Sequence, residues 1–213
     1  MNPHYPIHVK MEGMLCAVIG GGEVAQRKVG SLLECGAKIT IISPEITPLL
    51  AEWTEQGKIN WKRELYQGQD LSPYFFIVAA TNHRHVNYSV YEQAKRTKAF
   101  INIADRPDLC NYIVPSTVKR GRLVISVSTS GASPSLASKL RRRLEREFGQ
   151  EYEGYVDFLA QMRLKVLQEI KDATVRKQIF QELLDDRYVE APSLQREQMA
   201  DALLQQVKQR EQL

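Results

Sequence analysis

Apolar positions follow two alternating rhythms between residues 15 and 104. Leu15–Ile19 is an unbroken apolar run that ends in Gly20-Gly21-Gly22, the pattern of a buried parallel strand entering a turn. Val24, Ala25, Val29, Leu32 and Leu33 then recur close to helical spacing as far as Cys35, and Gly36 supplies a stop. Ala37–Ile42 is short and β-branched and predicts a second strand. Pro44 and Glu45 are expected to open a helix that runs through Trp53 and closes near Gly57. Ile59–Arg63, Phe75–Ala80 and Phe100–Ala104 predict three further strands, with a helix from Asn82 to Lys98 before the last. Strands alternating with helices over short connections predict an α/β fold with a Rossmann-type, doubly wound parallel sheet.

The rhythm changes beyond Pro107. Asn111–Val114, Thr117–Val118 and Arg122–Ser128 suggest short strands around a turn at Lys119-Arg120-Gly121. Ser133-Pro134 sets a serine before a proline, the order of an N-cap and first helical residue, and the helix it opens runs to about Phe148 before Gly149. Amphipathic helices follow over Tyr152–Ile170, Thr174–Leu184 and Ser193–Gln209. The expected organisation is a sheet domain over 1–113, a small α+β region over 114–150 and a helical domain over 151–213.

Composition narrows the class of protein. A chain of 213 residues with 43% hydrophobic and 25% charged residues matches an ordinary globular protein rather than a disordered one. No run of about 18 apolar residues occurs, so no membrane span is expected. Met14–Ile19 is too short for a signal peptide and runs into glycines. Cys16, Cys35 and Cys110 are an odd, widely spaced set and read as buried thiols in a reducing, cytoplasmic compartment. No cluster of histidines and cysteines stands ready for a metal, and no metal site is expected. Residues 1–150 carry 20 Lys/Arg against 13 Asp/Glu, whereas residues 151–213 carry 9 against 12. Between Ser116 and Arg146 there are eight basic residues and one acidic residue, a local patch suited to phosphate, nucleic acid or a polycarboxylate.

The most specific motif is Gly20-Gly21-Gly22-Glu23-Val24-Ala25. It satisfies G-x-G-x-x-G/A in the required context of strand, turn and helix. Gly20 permits the tight turn, Gly22 lets a pyrophosphate approach the backbone, and Ala25 allows close helix–strand packing. The helix N-terminus adds free N–H donors and partial positive charge. The acid expected at the end of the second strand is replaced by Ser43, with Pro44 and Glu45 following. Glu45 could take the ribose hydroxyls, or serve as a first-turn acid of the next helix. No basic residue nearby in the sequence offers a 2′-phosphate site, which favours NAD over NADP. Loops after the other strands should line the same crevice. They supply Ala80-Thr81-Asn82 and Asp105-Arg106, where Asp105 is either a proton acceptor beside a hydride acceptor or a capping partner of Arg106. His83 and His85 read as solvated residues at a helix start.

These residues bring a resemblance into view. The chain resembles the precorrin-2 dehydrogenase family of siroheme synthesis through Val18–Lys28, Leu33–Ala37, Ala79–Asn82, Asn102–Asp105 and Ser128–Pro134. The resemblance implies a Rossmann domain with NAD as cofactor, a dimerisation region over 114–150, a homodimer and a helical C-terminal region. It implies hydride transfer from precorrin-2 to NAD, giving sirohydrochlorin on the way to siroheme, and also to cobalamin in some pathways. It places the proposed general base at Asp105 and nucleotide contacts at Glu23, Val24, Pro44 and Glu45. The serine-rich turn with Ser128 and Thr129, together with Asn102 and Arg141, is expected to border the tetrapyrrole.

The residues agree with such a substrate. Precorrin-2 is a polycarboxylate, and Lys119, Arg120, Arg122, Lys139, Arg141, Arg142, Arg143 and Arg146 could clamp carboxylates. Alternatively, Arg141–Arg143 solvate a helix face and pair with Glu145 and Glu147. Exchange of the hairpin between subunits would hide its strand edges. The sequence ends at Leu213, so the methyltransferase module fused to some relatives is expected to be absent. Metal insertion into sirohydrochlorin stays open beside the dehydrogenase. Two rival readings are a non-enzymatic NAD-sensing module and a nucleic-acid-binding protein. The second lacks any aromatic stacking platform beside its arginines, so no nucleic-acid partner is expected.

Overall fold

The computed structural model describes residues 4–104 and 106–211. The chain forms two compact units, Met1–Val114 and Pro115–Leu213.

In the first unit, strands β1 (Leu15–Ile19), β2 (Lys38–Ile42), β3 (Asn60–Lys62), β4 (Phe76–Ala79) and β5 (Phe100–Ile103) pair in parallel in the order β3-β2-β1-β4-β5. Alternate side chains of β1 serve two cores. Cys16 and Val18 pack with Val29 of α1 (Glu23–Leu33) and Leu50 of α2 (Pro48–Glu55). Ala17 and Ile19 belong to the opposite core, with Val90 and Ala94 of α3 (Arg84–Ala94). Burial on both faces is why the strand is apolar throughout rather than alternating. Consecutive connections leave β1 and β4 towards opposite faces, which opens a crevice at the carboxyl ends of these neighbouring strands.

Several local expectations change. The helix expected from Pro44 starts at Pro48, because Thr47 takes the N-cap and accepts the Leu50 N–H. The Ser43 hydroxyl donates to the Glu45 carbonyl at 2.6 Å and holds the preceding residues as a turn. The next helix spans Arg84–Ala94 rather than Asn82–Lys98, and the Thr97 hydroxyl donates to the Ala94 carbonyl at its end. Asn111–Val114 is not a strand. The Asn111 side chain instead accepts from the Ile101 N–H and donates to the Ala99 carbonyl, while Tyr112 packs edge-on to Phe76 and Phe100. Of the three thiols only Cys16 is buried; Cys110 is half-buried and Cys35 is exposed beyond the end of α1.

In the second unit, β6 (Ser116–Arg120) and β7 (Leu123–Val127) form a single antiparallel hairpin closed by Gly121-Arg122. Gly121 has φ +54°, the left-handed conformation that a two-residue hairpin turn demands. Helix α4 (Pro134–Glu147) is capped by the Ser133 hydroxyl, which accepts the Leu136 N–H. Helices α5 (Glu151–Glu169), α6 (Ala173–Glu182), α7 (Asp186–Glu190) and α8 (Ser193–Glu211) enclose a core of Tyr155, Phe158, Met162, Val166, Ile179, Leu183 and Tyr188. The five-residue α7 was not expected, being too short for a periodic signal. Its start is set by Asp185, whose carboxylate accepts the Arg187 N–H.

Candidate functional site

The glycine turn opens at the end of β1, and each glycine there has a different reason. Gly20 has φ +114°, and a Cβ would run into the Ala80 carbonyl at the end of β4. A Cβ on Gly21 would strike the Glu45 carbonyl. Gly22 has ordinary extended dihedrals, φ −84° and ψ −172°, and a Cβ there would meet nothing within 4 Å. The fold itself therefore does not require glycine at 22. Open space over a glycine that begins a helix suits a group approaching from outside, as a pyrophosphate does. No side chain caps α1 at this end, so its first-turn N–H groups face the same space.

Three loops close around this turn and form a crevice of about 430 Å³. Its lining brings together Gly20, Gly22, Ser43, Pro44, Glu45, Ala80 and Thr81 from positions more than sixty residues apart in sequence. The β2–α2 loop is tied down by the Thr47 N–H, which donates to the Gly21 carbonyl at 3.0 Å. The Thr47 hydroxyl also donates to Gln26 Oε1 at 2.6 Å. Ser43 is buried in the crevice lining and donates its hydroxyl proton to the Glu45 carbonyl, which leaves the hydroxyl oxygen only as an acceptor. Glu45 is exposed on the crevice wall and lies before the Thr47 cap of α2. It is thus not a first-turn acid of that helix, and its carboxylate remains available to ribose hydroxyls. The loop after β3 adds Leu65 and Tyr66, and Trp61 Nε1 donates to the Ser43 carbonyl at 2.8 Å.

The remaining predicted residues lie elsewhere. Glu23 and Val24 occupy the exposed first turn of α1, next to the lining but outside it. Asn102 is half-buried on β5, with Nδ2 3.6 Å from Cys110 Sγ. Asp105 lies outside the described residues. In the second unit, the Ser128 hydroxyl accepts the Ser130 N–H and the Thr129 hydroxyl accepts the Ser133 N–H. These bonds shape the turn before α4, where Ser130 and Gly131 have φ +52° and +85°. Arg141 forms an ion pair with Glu145 one turn along α4. Arg122 pairs with Asp157, and Arg120 donates to the carbonyls of Lys119 and Glu145. Among the described residues, no group of three or more His, Cys, Asp or Glu comes together as a metal site. No helix of the described residues is long and apolar enough to cross a membrane.

Sequence reasoning missed Ile46, Thr47, Leu65, Tyr66, His83 and Val86 in the lining. Only Thr47-Pro48 carried a local signal, that of a helix start, and it lay behind the competing Pro44-Glu45.

The parallel sheet, the glycine turn under an uncapped helix and the crevice at the strand ends define a Rossmann-type NAD(P)-binding protein. The NAD(P)-binding family profile matches residues 7–116. The profile for the central part of the sirohaem biosynthesis protein matches residues 120–147, and that for the SirC C-terminal domain matches residues 152–198. The chain belongs to the NAD(P)-binding family whose profile covers residues 7–116. It is 33% identical to the siroheme synthase of Nitrosococcus oceani over 95% of its own length and 43% of that protein. It is 34% identical to the siroheme synthase of Methylococcus capsulatus over 85% of its length and 38% of that protein. The chain thus spans less than half the length of these curated relatives. Among solved structures, SirC, a precorrin-2 dehydrogenase, aligns over 97% of this chain and 100% of its own, with TM-score 0.80 and 29% identity.

Proposed function

We propose that this chain is an NAD-dependent precorrin-2 dehydrogenase, forming sirohydrochlorin for siroheme synthesis. The observation that carries the reading is the alignment along the full length of SirC, a precorrin-2 dehydrogenase, with the glycine turn and its crevice in place. NAD, when bound, supplies the hydride acceptor. The chain's own groups bind and orient it: the N-terminus of α1 and Gly22 for the pyrophosphate, Glu45 for the ribose, and Ala80 and Thr81 for the far side of the crevice. Glu23 and Val24 contribute their backbone at the first turn. Asp105, two residues after the last residue of β5 in the sequence, acts as the general base that takes the proton released with the hydride.

The tetrapyrrole is bound through its carboxylates. Asn102, Ser128 and Thr129 border it, and the basic helix α4 supplies the charge. Lys139, Arg142, Arg143 and Arg146 are exposed, and no ion pair occupies them among the described residues. Their spacing sets them along one side of α4, whereas Arg141 is held by Glu145 and needs exchange of that partner to reach a carboxylate. The β6–β7 hairpin is a two-stranded sheet, marginal by itself, and pairing with a second copy would cover its edges. A cytoplasmic homodimer with 114–150 as its dimerisation region and 151–213 as a helical domain fits these features.

Anaerobic incubation with precorrin-2 and NAD tests the reading. NADH and sirohydrochlorin should appear together in equal amounts. NAD binding without turnover would replace the enzyme by a nucleotide-sensing module. In the same assay Asp105→Asn should bind NAD as the parent does and lose at least about a hundredfold in turnover, the scale of general-base catalysis. Full activity in that variant removes Asp105 from the mechanism.

A further inference from the structure

We infer that Asn87 is a positioning residue for the dinucleotide: it holds the turn at the end of β4 in the shape that the crevice requires. The inference rests on the reading that this crevice takes NAD. Asn87 lies on α3, is 7% exposed and does not itself line the crevice. Among the described residues, its side-chain hydrogen bonds all go to one residue, Thr81. Its Oδ1 accepts the Thr81 N–H at 3.2 Å and lies 2.8 Å from the Thr81 hydroxyl, while its Nδ2 donates to the Thr81 carbonyl at 3.0 Å.

These bonds act at a point where the sheet no longer can. The Ala80 N–H still donates to the Ile19 carbonyl, but Thr81 is the first residue past the β4 ladder. Without a partner its N–H and carbonyl would be free to rotate. Asn87 replaces the missing strand neighbour by offering one acceptor and one donor in a plane, a pairing that neither a hydroxyl nor a carboxylate supplies. The consequence reaches the glycine turn directly. The Ala80 carbonyl is the group that leaves no room for a Cβ on Gly20, so rotation at Thr81 shifts the wall against which Gly20 packs. The Thr81 hydroxyl also accepts the His83 N–H at 3.1 Å, which fixes how α3 departs from the crevice. An apolar residue would suit this position in the core beside Val90 if packing were its only role, since burying an amide is costly unless it is satisfied.

The test uses the full chain with Asn87→Ala and, as a milder variant, Asn87→Ser. NAD binding is followed by calorimetry, and steady-state kinetics are run with precorrin-2 saturating. The parent and both folded variants should bind one NAD per chain. In the variants Kd and KM for NAD should rise at least about tenfold, with kcat changed by less than about threefold. A residue that only stabilises the fold would lower the thermal midpoint and the fraction of competent protein but leave Kd at the parental value. That result in either variant overturns the inference. A parent that binds no NAD overturns the dinucleotide reading itself, and the role of Asn87 with it.

Discussion

The two units use the same device for different ends. Each buries a polar side chain and satisfies it with backbone groups, yet the first spends it on a crevice and the second on its own core. Among the described residues of Met1–Val114 the buried polar ones are Ser43 and Asn87, and both hold loops that line the crevice. Among the described residues of Pro115–Leu213 the buried polar one is Arg196, 6% exposed. Its guanidinium donates to the carbonyls of Tyr188, Val189 and Ala191 and stacks 5.7 Å from the rings of both Tyr155 and Phe158. A buried hydrogen-bonded group thus marks a site only where its partners face open space.

Removing Arg196 should break the comparison most visibly. Arg196→Ala strands three carbonyls at the end of α7 and empties the space between two rings, at a cost of about 3–5 kcal/mol. Both tryptophans, Trp53 and Trp61, lie in the first unit, so their fluorescence reports that unit alone. Helical circular dichroism should fall at lower denaturant in the variant, while the tryptophan signal and NAD affinity stay near parental values. Loss of NAD binding in step with the helical signal would mean that the units do not act separately.

Alkaline pH should weaken the first unit through Cys16. Burial pushes its thiol up to about 11 from an ordinary 9.0. The folded state keeps the proton where the unfolded chain has released it. The stabilisation is therefore complete below pH 9 and is lost as pH rises towards 11, by about 2–3 kcal/mol in all. Burial also raises Tyr112 strongly in the same unit, so the slope should shrink rather than vanish in Cys16→Ala. The measurement is the tryptophan-monitored unfolding free energy of parent and variant at several values from pH 8 to 11. Equal slopes in the two proteins would refute the assignment.

The finest distinction lies within the glycine turn. Gly20→Ala forces a left-handed φ and a clash with Ala80, and should cost about 2 kcal/mol of stability. Gly22→Ala meets no protein atom and should leave stability within about 0.5 kcal/mol. It should nevertheless weaken NAD binding about tenfold, because its Cβ would enter the space over the glycine turn where the pyrophosphate is proposed to bind. Denaturation curves and NAD titrations of the two variants check the contrast. Unchanged affinity in Gly22→Ala would remove the ligand-based reason for that glycine.

These contrasts also mark what was legible in the sequence. The strand Leu15–Ile19, the glycine turn and α1 could be read because each is specified by neighbours a few residues away. The second unit's helices showed the same local periodicity, except for five-residue α7, where no period can establish itself. Misreadings arose where two local signals competed or where a distant partner decided. Pro44-Glu45 looked like a helix start until Thr47-Pro48 took that role. Asn111–Val114 looked like a strand until the Asn111 side chain bonded the backbone of β5.

By itself, the sequence determined the five parallel strands, the longer helices, the glycine turn and the basic surface of α4, since these depend on spacing and residue type along a continuous chain. Only the tertiary structure decided that Ser43 turns its hydroxyl inward, that Glu45 is left outside α2, and that Asn87 holds Thr81. The reason is physical: periodicity and capping act within a few residues, whereas the partner of a buried polar group is chosen by whatever the sheet brings beside it.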